Sequence, residues 1–127
     1  MRGSQAVTTR IVQIDEFFGQ LIAAKRKNLG MDQKELAKEL GIKQPALSRI
    51  ERGESSVNTV MLMKLSAALK ISPTELIGEF EREKERLESE ESIEMRSKKD
   101  LPTNKATLGK VLLGGAALAL LLGAINK

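Results

Sequence analysis

The chain has no cysteine, histidine, tryptophan or tyrosine, and its 127 residues include only three prolines and three phenylalanines. Each absence removes a chemistry. Without cysteine there is no disulfide and no thiol nucleophile, which fits a reducing compartment. Without histidine there is no imidazole to act as a general base or to ligate zinc. So few rings offer little surface on which single-stranded bases can stack. No apolar run opens the chain, so no secretory leader is expected. No glycine loop for phosphates and no nucleophile–base pair is visible, and Ser48 has no histidine to activate it. Neither an enzyme nor a cofactor is expected.

What the chain does carry is charge, unevenly placed. The formal net charge is +4. Residues 1–78 hold 12 Lys and Arg against 8 Asp and Glu, residues 79–100 hold 6 against 9, and residues 101–127 hold 3 against none. A basic head followed by an acidic connector suits a protein that meets phosphates with its head alone.

The most informative stretch is 33–52, QKELAKELGIKQPALSRIER. Leu36, Ala37 and Leu40 share one face of a first helix, with Ala37 small enough for a second helix to cross close above it. Gly41 stands at the turn, where a left-handed backbone costs least without a Cβ. Ile42 plugs the corner, and Leu47 and Ile50 give the second helix its buried face at i, i+3 spacing. Asp32 and Glu35 have the spacing of a reciprocal capping box. Together these offsets predict a helix-turn-helix. Upstream, a helix is predicted from about Val12 to Leu29, with Phe17, Leu21, Ile22 and Leu29 as core contacts. Downstream, Val60, Met61, Leu65 and Leu69 form the apolar stripe of a fourth helix. Ser72, Pro73 and Glu75 then provide the cap, first-turn proline and capping box of a fifth. No strand is predicted anywhere.

In order and spacing, Phe18-Gly19, Arg26 followed by Gly30-Met31-Asp32-Gln33, Leu36-Ala37, Gly41-Ile42 and Ser48-Arg49-Ile50-Glu51-Arg52-Gly53 resemble the Cro/C1-type (XRE) helix-turn-helix domains of phage repressors and bacterial regulators. The resemblance continues through Leu65, Ala68-Leu69, Ile71-Ser72-Pro73 and Glu75-Leu76, so it covers about residues 17–77. It implies an all-α, five-helix lambda-repressor-like DNA-binding domain. It also implies that the second motif helix enters the major groove of double-stranded DNA. Gln44, Pro45, Ala46 and Arg49 are then the base-reading residues. Gln44 can bond bidentately to adenine, Arg49 to guanine, and Ala46 can touch a thymine methyl.

Phosphate contacts are assigned to Gln33, Lys34, Lys43, Arg52, Ser55 and Ser56, with the glutamine at 33 also bracing Gln44 in the resembled family. Lys43 replaces the usual Ser or Thr cap, weakening the cap while adding a cation. Arg26 and Glu51 are assigned to the scaffold, as an internal salt bridge from the first helix to the end of the third. Lys70 stands where the family often has glycine, which predicts a less sharply ended fourth helix. Dimers in the family form around the fourth and fifth helices, here Val57, Val60, Met61 and Phe80, and a homodimer on two half-sites is expected.

The domain plan is an N-terminal arm at 1–11, the helix-turn-helix domain at 12–78, a charged helical connector at 79–100, a linker at 101–105 and a hydrophobic C-terminal helix at 106–127. In the connector, Phe80, Leu87, Ile93 and Met95 are too sparse for a heptad seam, and a solvated helix fraying near Ser97 is expected. The tail, residues 111–125, has no polar side chain. Fifteen helical residues reach about 22 Å, short of the ~30 Å hydrocarbon core, and starting at Ala106 lengthens the run to about twenty. Gly115, Ala119 and Gly123 repeat every fourth residue, a stripe that lets helices approach closely. Lys98, Lys99, Lys105 and Lys110 precede it. Two readings follow: insertion of 106–125 in the cytoplasmic membrane beneath a cytoplasmic head, or an assembly helix in an oligomer. For the whole chain, a sequence-specific transcription regulator leads. The alternative is an interaction protein, a membrane-anchored tether or antitoxin-like module, that uses the same fold for protein contacts.

Overall fold

The computed structural model describes residues 9–91, 93–100, 106–107 and 110–112. In chain order the elements are β1 (Thr9–Gln13), α1 (Ile14–Asn28), α2 (Gln33–Leu40), α3 (Gln44–Glu51), α4 (Thr59–Ala68), α5 (Pro73–Glu90), β2 (Ile93–Arg96), a 3-10 turn (Lys98–Asp100), β3 (Ala106–Thr107) and β4 (Lys110–Leu112).

Local chemistry sets the ends of the helices. Asp32 accepts from the Glu35 amide at 2.8 Å while the Glu35 carboxylate accepts from the Asp32 amide at 2.8 Å. Ser72 and Glu75 make the same reciprocal pair at the start of α5, and Asn58 caps α4 through the Met61 amide at 2.8 Å. At the C-terminus of α2, Gly41 turns left-handed with φ 72°. The Gly41 and Ile42 amides then donate back to Lys38 and Ala37 at 3.1 and 3.0 Å. This satisfies two terminal carbonyls and sends the chain into α3. The end of α4 closes identically: the Lys70 and Ile71 amides donate to Ala67 and Ser66 at 3.2 and 3.0 Å. Lys70 adopts φ 60°, the only non-glycine with positive φ among the described residues. The expectation of a looser end there is therefore overturned. Packing of the partly buried Ile71 against the core holds a lysine in the glycine conformation.

Leu21, Ile22, Leu36, Ala37, Leu40, Leu47, Leu65, Ala68, Leu69 and Leu76 form the main core, with Ile42 packed against it at the turn. A second cluster of Val12, Phe17, Leu87 and Ile93 lies at the far end of α1 and α5. Phe80 packs on both clusters, its ring 5.1 Å from Phe17 and 5.6 Å from Phe18.

The second cluster is where the all-α expectation fails. β1 pairs in parallel with β2, Ile11 opposite Glu94, and in parallel with β4, Ile11 opposite Leu112. The sheet order is β2-β1-β4-β3. Parallel neighbours need a long crossover, and the whole bundle provides it between β1 and β2. Val12 thus belongs to a strand rather than to helix 1, and α1 starts at Ile14. The connector also divides: α5 ends at Glu90, and 93–96 is extended. Ile93 and Met95, two apart, face the same cluster, which explains why they failed to fit a helical seam.

The tail helix predicted from residue 106 is corrected where the structure describes it, because 106–107 and 110–112 are paired strands. Gly115, Ala119 and Gly123 lie outside the described residues. Among the described residues no helix is long and apolar enough to cross a membrane.

Candidate nucleic-acid interface

The outward face of α3 is set by what its inward face buries. Leu47, Ile50 and Glu51 are buried, which leaves Gln44, Pro45 and Arg49 exposed and Ala46 and Ser48 half-buried along one side. Pro45 falls in the first turn, where its missing N–H costs nothing. Lys43 occupies the cap with no side-chain hydrogen bond to the helix. Its ammonium stands exposed beside that N-terminus, and Lys34 is exposed on α2.

This face is held at fixed height by polar and steric contacts beneath it. Arg26 on α1 donates through Nε and Nη2 to the two Glu51 oxygens at 2.8 and 3.1 Å, and through Nη1 to the Met31 carbonyl at 2.9 Å. Gln33 at the start of α2 donates its amide to the same carboxylate at 2.8 Å. One buried carboxylate thereby ties three helices, with the charges paired as burial requires. Gly19 of α1 lies directly against this junction. A Cβ there would sit 2.4 Å from the Ile50 carbonyl oxygen and 2.5 Å from that of Glu51. Gly53, just past α3, approaches as closely: its Cβ would stand 2.5 Å from the Glu16 Cα. Burial raises the Glu16 carboxyl above its ordinary value.

Several residues expected at phosphates have partners within the chain. Gln33 is turned toward Glu51 rather than toward Gln44. Arg52 is held by both carboxylate oxygens of Glu54, at 2.9 and 3.2 Å, and donates to the Ser48 hydroxyl. The Glu54 contact keeps the Arg52 guanidinium firmly charged. Ser56 donates to Asp15 at 2.7 Å, and the Ser55 amide makes a long bond to the Arg49 carbonyl at 3.4 Å. Glu54, Ser48 and Asp15 were missed as members of this surface. The only sequence signal was an acid two residues after Arg52, which is too common to stand out.

A short helix carried outward by a glycine turn, on a closed bundle of four others, is the defining geometry of a helix-turn-helix domain. Residues 22–76, somewhat under half of the chain, match the family described as Helix-turn-helix, and there the chain is similar to that family. Over 62 residues the chain is 39% identical to Repressor protein C2 of Salmonella phage P22, covering 49% of this chain and 29% of that protein. Over 48 residues it is 40% identical to an uncharacterized HTH-type transcriptional regulator of Haemophilus influenzae, covering 38% of this chain and 49% of the relative. The match thus spans less than a third of the first relative and about half of the second.

Proposed function

We propose that this chain is a double-stranded DNA-binding transcription regulator that reads sequence with α3 in the major groove. The observation that carries the reading is the exposed row Gln44, Pro45 and Arg49 on a helix anchored from behind by Arg26, Gln33 and Glu51. Glutamine and arginine are the side chains suited to bidentate bonds with adenine and guanine edges. Lys34 and Lys43 flank them as phosphate contacts. The similarity to a phage repressor and to a transcriptional regulator agrees in kind.

One such helix reads about half a site, so we assign a dimer on two half-sites roughly 34 Å apart. Its contact surface is the α4–α5 side. There Val60 is 64% and Met63 55% exposed, next to an open groove of about 240 Å³ lined by Phe18, Val57, Leu62, Ile77 and Phe80. The head includes α1, whose Gly19 and Arg26 build the interface, so the working domain runs over residues 12–78.

The test is selection from random duplexes followed by titration of the enriched site. Arg49→Ala is expected to cost about 1–3 kcal/mol of specific affinity and to relax one base position, with non-specific binding nearly unchanged. Uniform weakening on every sequence would demote Arg49 to a phosphate contact. No enrichment by the native chain would favour the protein-interaction alternative.

A further inference from the structure

We propose that residues 113–125, the apolar segment that follows β4, seat in the groove between α1, α4 and α5 of the same chain. The groove is walled by Ile14 and Phe18 of α1, Val57 just before α4 and Leu62 within it, and Ile77 and Phe80 of α5. Ile77 is 37% exposed there. Polar groups at the rim already have partners: an Asp15 oxygen accepts from Ser56 at 2.7 Å, and the Asn58 oxygen caps α4 through the Met61 amide. The groove therefore lacks an apolar occupant. Its volume, about 240 Å³, lies below the roughly 300–1,000 Å³ of pockets that take cofactors and small ligands. A few side chains of a peptide segment suit it better.

The occupant is identified by where the chain is delivered. β4 runs parallel to β1, with Thr9 opposite Lys110, Arg10 opposite Val111 and Ile11 opposite Leu112. β1 gives way to α1 at Ile14. A chain leaving Leu112 beside Ile11, in the same direction, is thus aimed at the first turn of α1. Ile14 and Phe18 bound that turn, about 6 Å apart along the helix, and thirteen residues more than cover the distance. The segment brings Leu113, Leu118, Leu120, Leu121, Leu122 and Ile125, and no polar or charged side chain. Water disfavours leaving such a run exposed, and the parallel pairing brings this groove next to it. Val60 and Met63 are exposed on α4 but do not line the groove, so the dimer contact assigned above stays available with the segment seated. The inference does not depend on what α3 reads.

The chain has no cysteine, so introduced thiols report without background. In the full chain, Ile77→Cys places one in the groove wall, and Glu85→Cys places a control at another exposed position of α5. With the native segment, the thiol at 77 should react with a maleimide at least about tenfold more slowly than in a chain also carrying Leu120→Asp and Leu121→Asp. The thiol at 85 should react equally in both, which verifies folding. Independently, Ile77→Cys combined in turn with Leu118→Cys, Leu120→Cys or Leu122→Cys should give a disulfide within one chain, at a rate that does not change with protein concentration. Equal reactivity at 77 with either segment would overturn the proposal. So would disulfides that form only between chains, which would make a second copy the occupant. Flotation of the full chain with phosphatidylcholine–phosphatidylglycerol vesicles, accompanied by fast labelling at 77, would also overturn it and assign the segment to a bilayer.

Discussion

At the scale of single residues, conformational strain and desolvation both leave measurable marks. Lys70 holds φ 60° where a side chain clashes with its own backbone, a cost of about 1–2 kcal/mol that glycine avoids. Glycine gives back part of this through its more flexible unfolded state. Lys70→Gly is accordingly expected to stabilise the fold by roughly 1 kcal/mol net, seen as a rise in melting temperature with no change in helical content. A lowered melting temperature would mean that the lysine side chain contributes more than its backbone costs. Glu16 illustrates the second effect. Its folded pKa lies above the ordinary 4.5 because burial disfavours the charged carboxylate. The folded state therefore binds the proton more tightly than the unfolded chain. Stability is lost as pH rises from the ordinary value through the raised one, and changes no further above it. Glu16→Gln should raise the melting temperature near pH 7, with the gain shrinking as the pH is lowered through 4.5. A gain independent of pH would show that charge is not the cause. The caps at Asp32 and Ser72 were legible in the sequence, since a cap depends on neighbours three residues away. Lys70 was not, because Ile71 and the core dictate its conformation.

At the scale of elements, the recognition helix is positioned by the contact between α1 and the end of α3. Arg26 and Glu51 are 7% and 5% exposed, so removing one leaves the other charge buried and unpaired. Glu51→Ala is expected to destabilise the domain by about 3–5 kcal/mol, and thermal melts would show it. An unchanged melting temperature would release Glu51 from its scaffold role. The pair was anticipated from the resemblance, but the third member was not. Gln33 was assigned to Gln44 and to phosphate, and the amide instead donates to Glu51. A position at the start of α2 cannot reveal, by spacing alone, which of two nearby helices its side chain faces. β1 and β2 were illegible for a related reason. Thr9, Ile11 and Val12 are β-branched, as strands prefer, but residues 9–11 read as the end of a polar arm and Val12 as the start of the helix that follows.

At the scale of the whole molecule, two cores depend on different parts of the chain. The main core is complete within α1–α5, whereas Ile93 joins the second cluster from β2. A chain cut after residue 91 should keep its helical signal and its DNA binding, because the interface and main core are intact. It should melt at a lower temperature, since Val12, Phe17 and Leu87 lose the cover of Ile93; a fully buried large side chain contributes about 1.5–3 kcal/mol. Loss of helical signal on truncation would mean that the sheet is needed for the bundle to form.

What the sequence determined by itself is everything that acts over a few residues: the capping boxes, the glycine turn between α2 and α3, the apolar faces of the helices, and the exposed Gln44 and Arg49. These follow from periodicity and local hydrogen bonding, which one turn of chain specifies. The tertiary structure decided the rest. It placed Gln33 on Glu51, locked Lys70 in a left-handed turn, drew residues 9–13, 93–96 and 110–112 into one sheet, and clamped Arg52 between Glu54 and Ser48. Each of these depends on which groups the packed chain brings within bonding distance. A parallel strand pair more than 80 residues apart in sequence has no local signature to read.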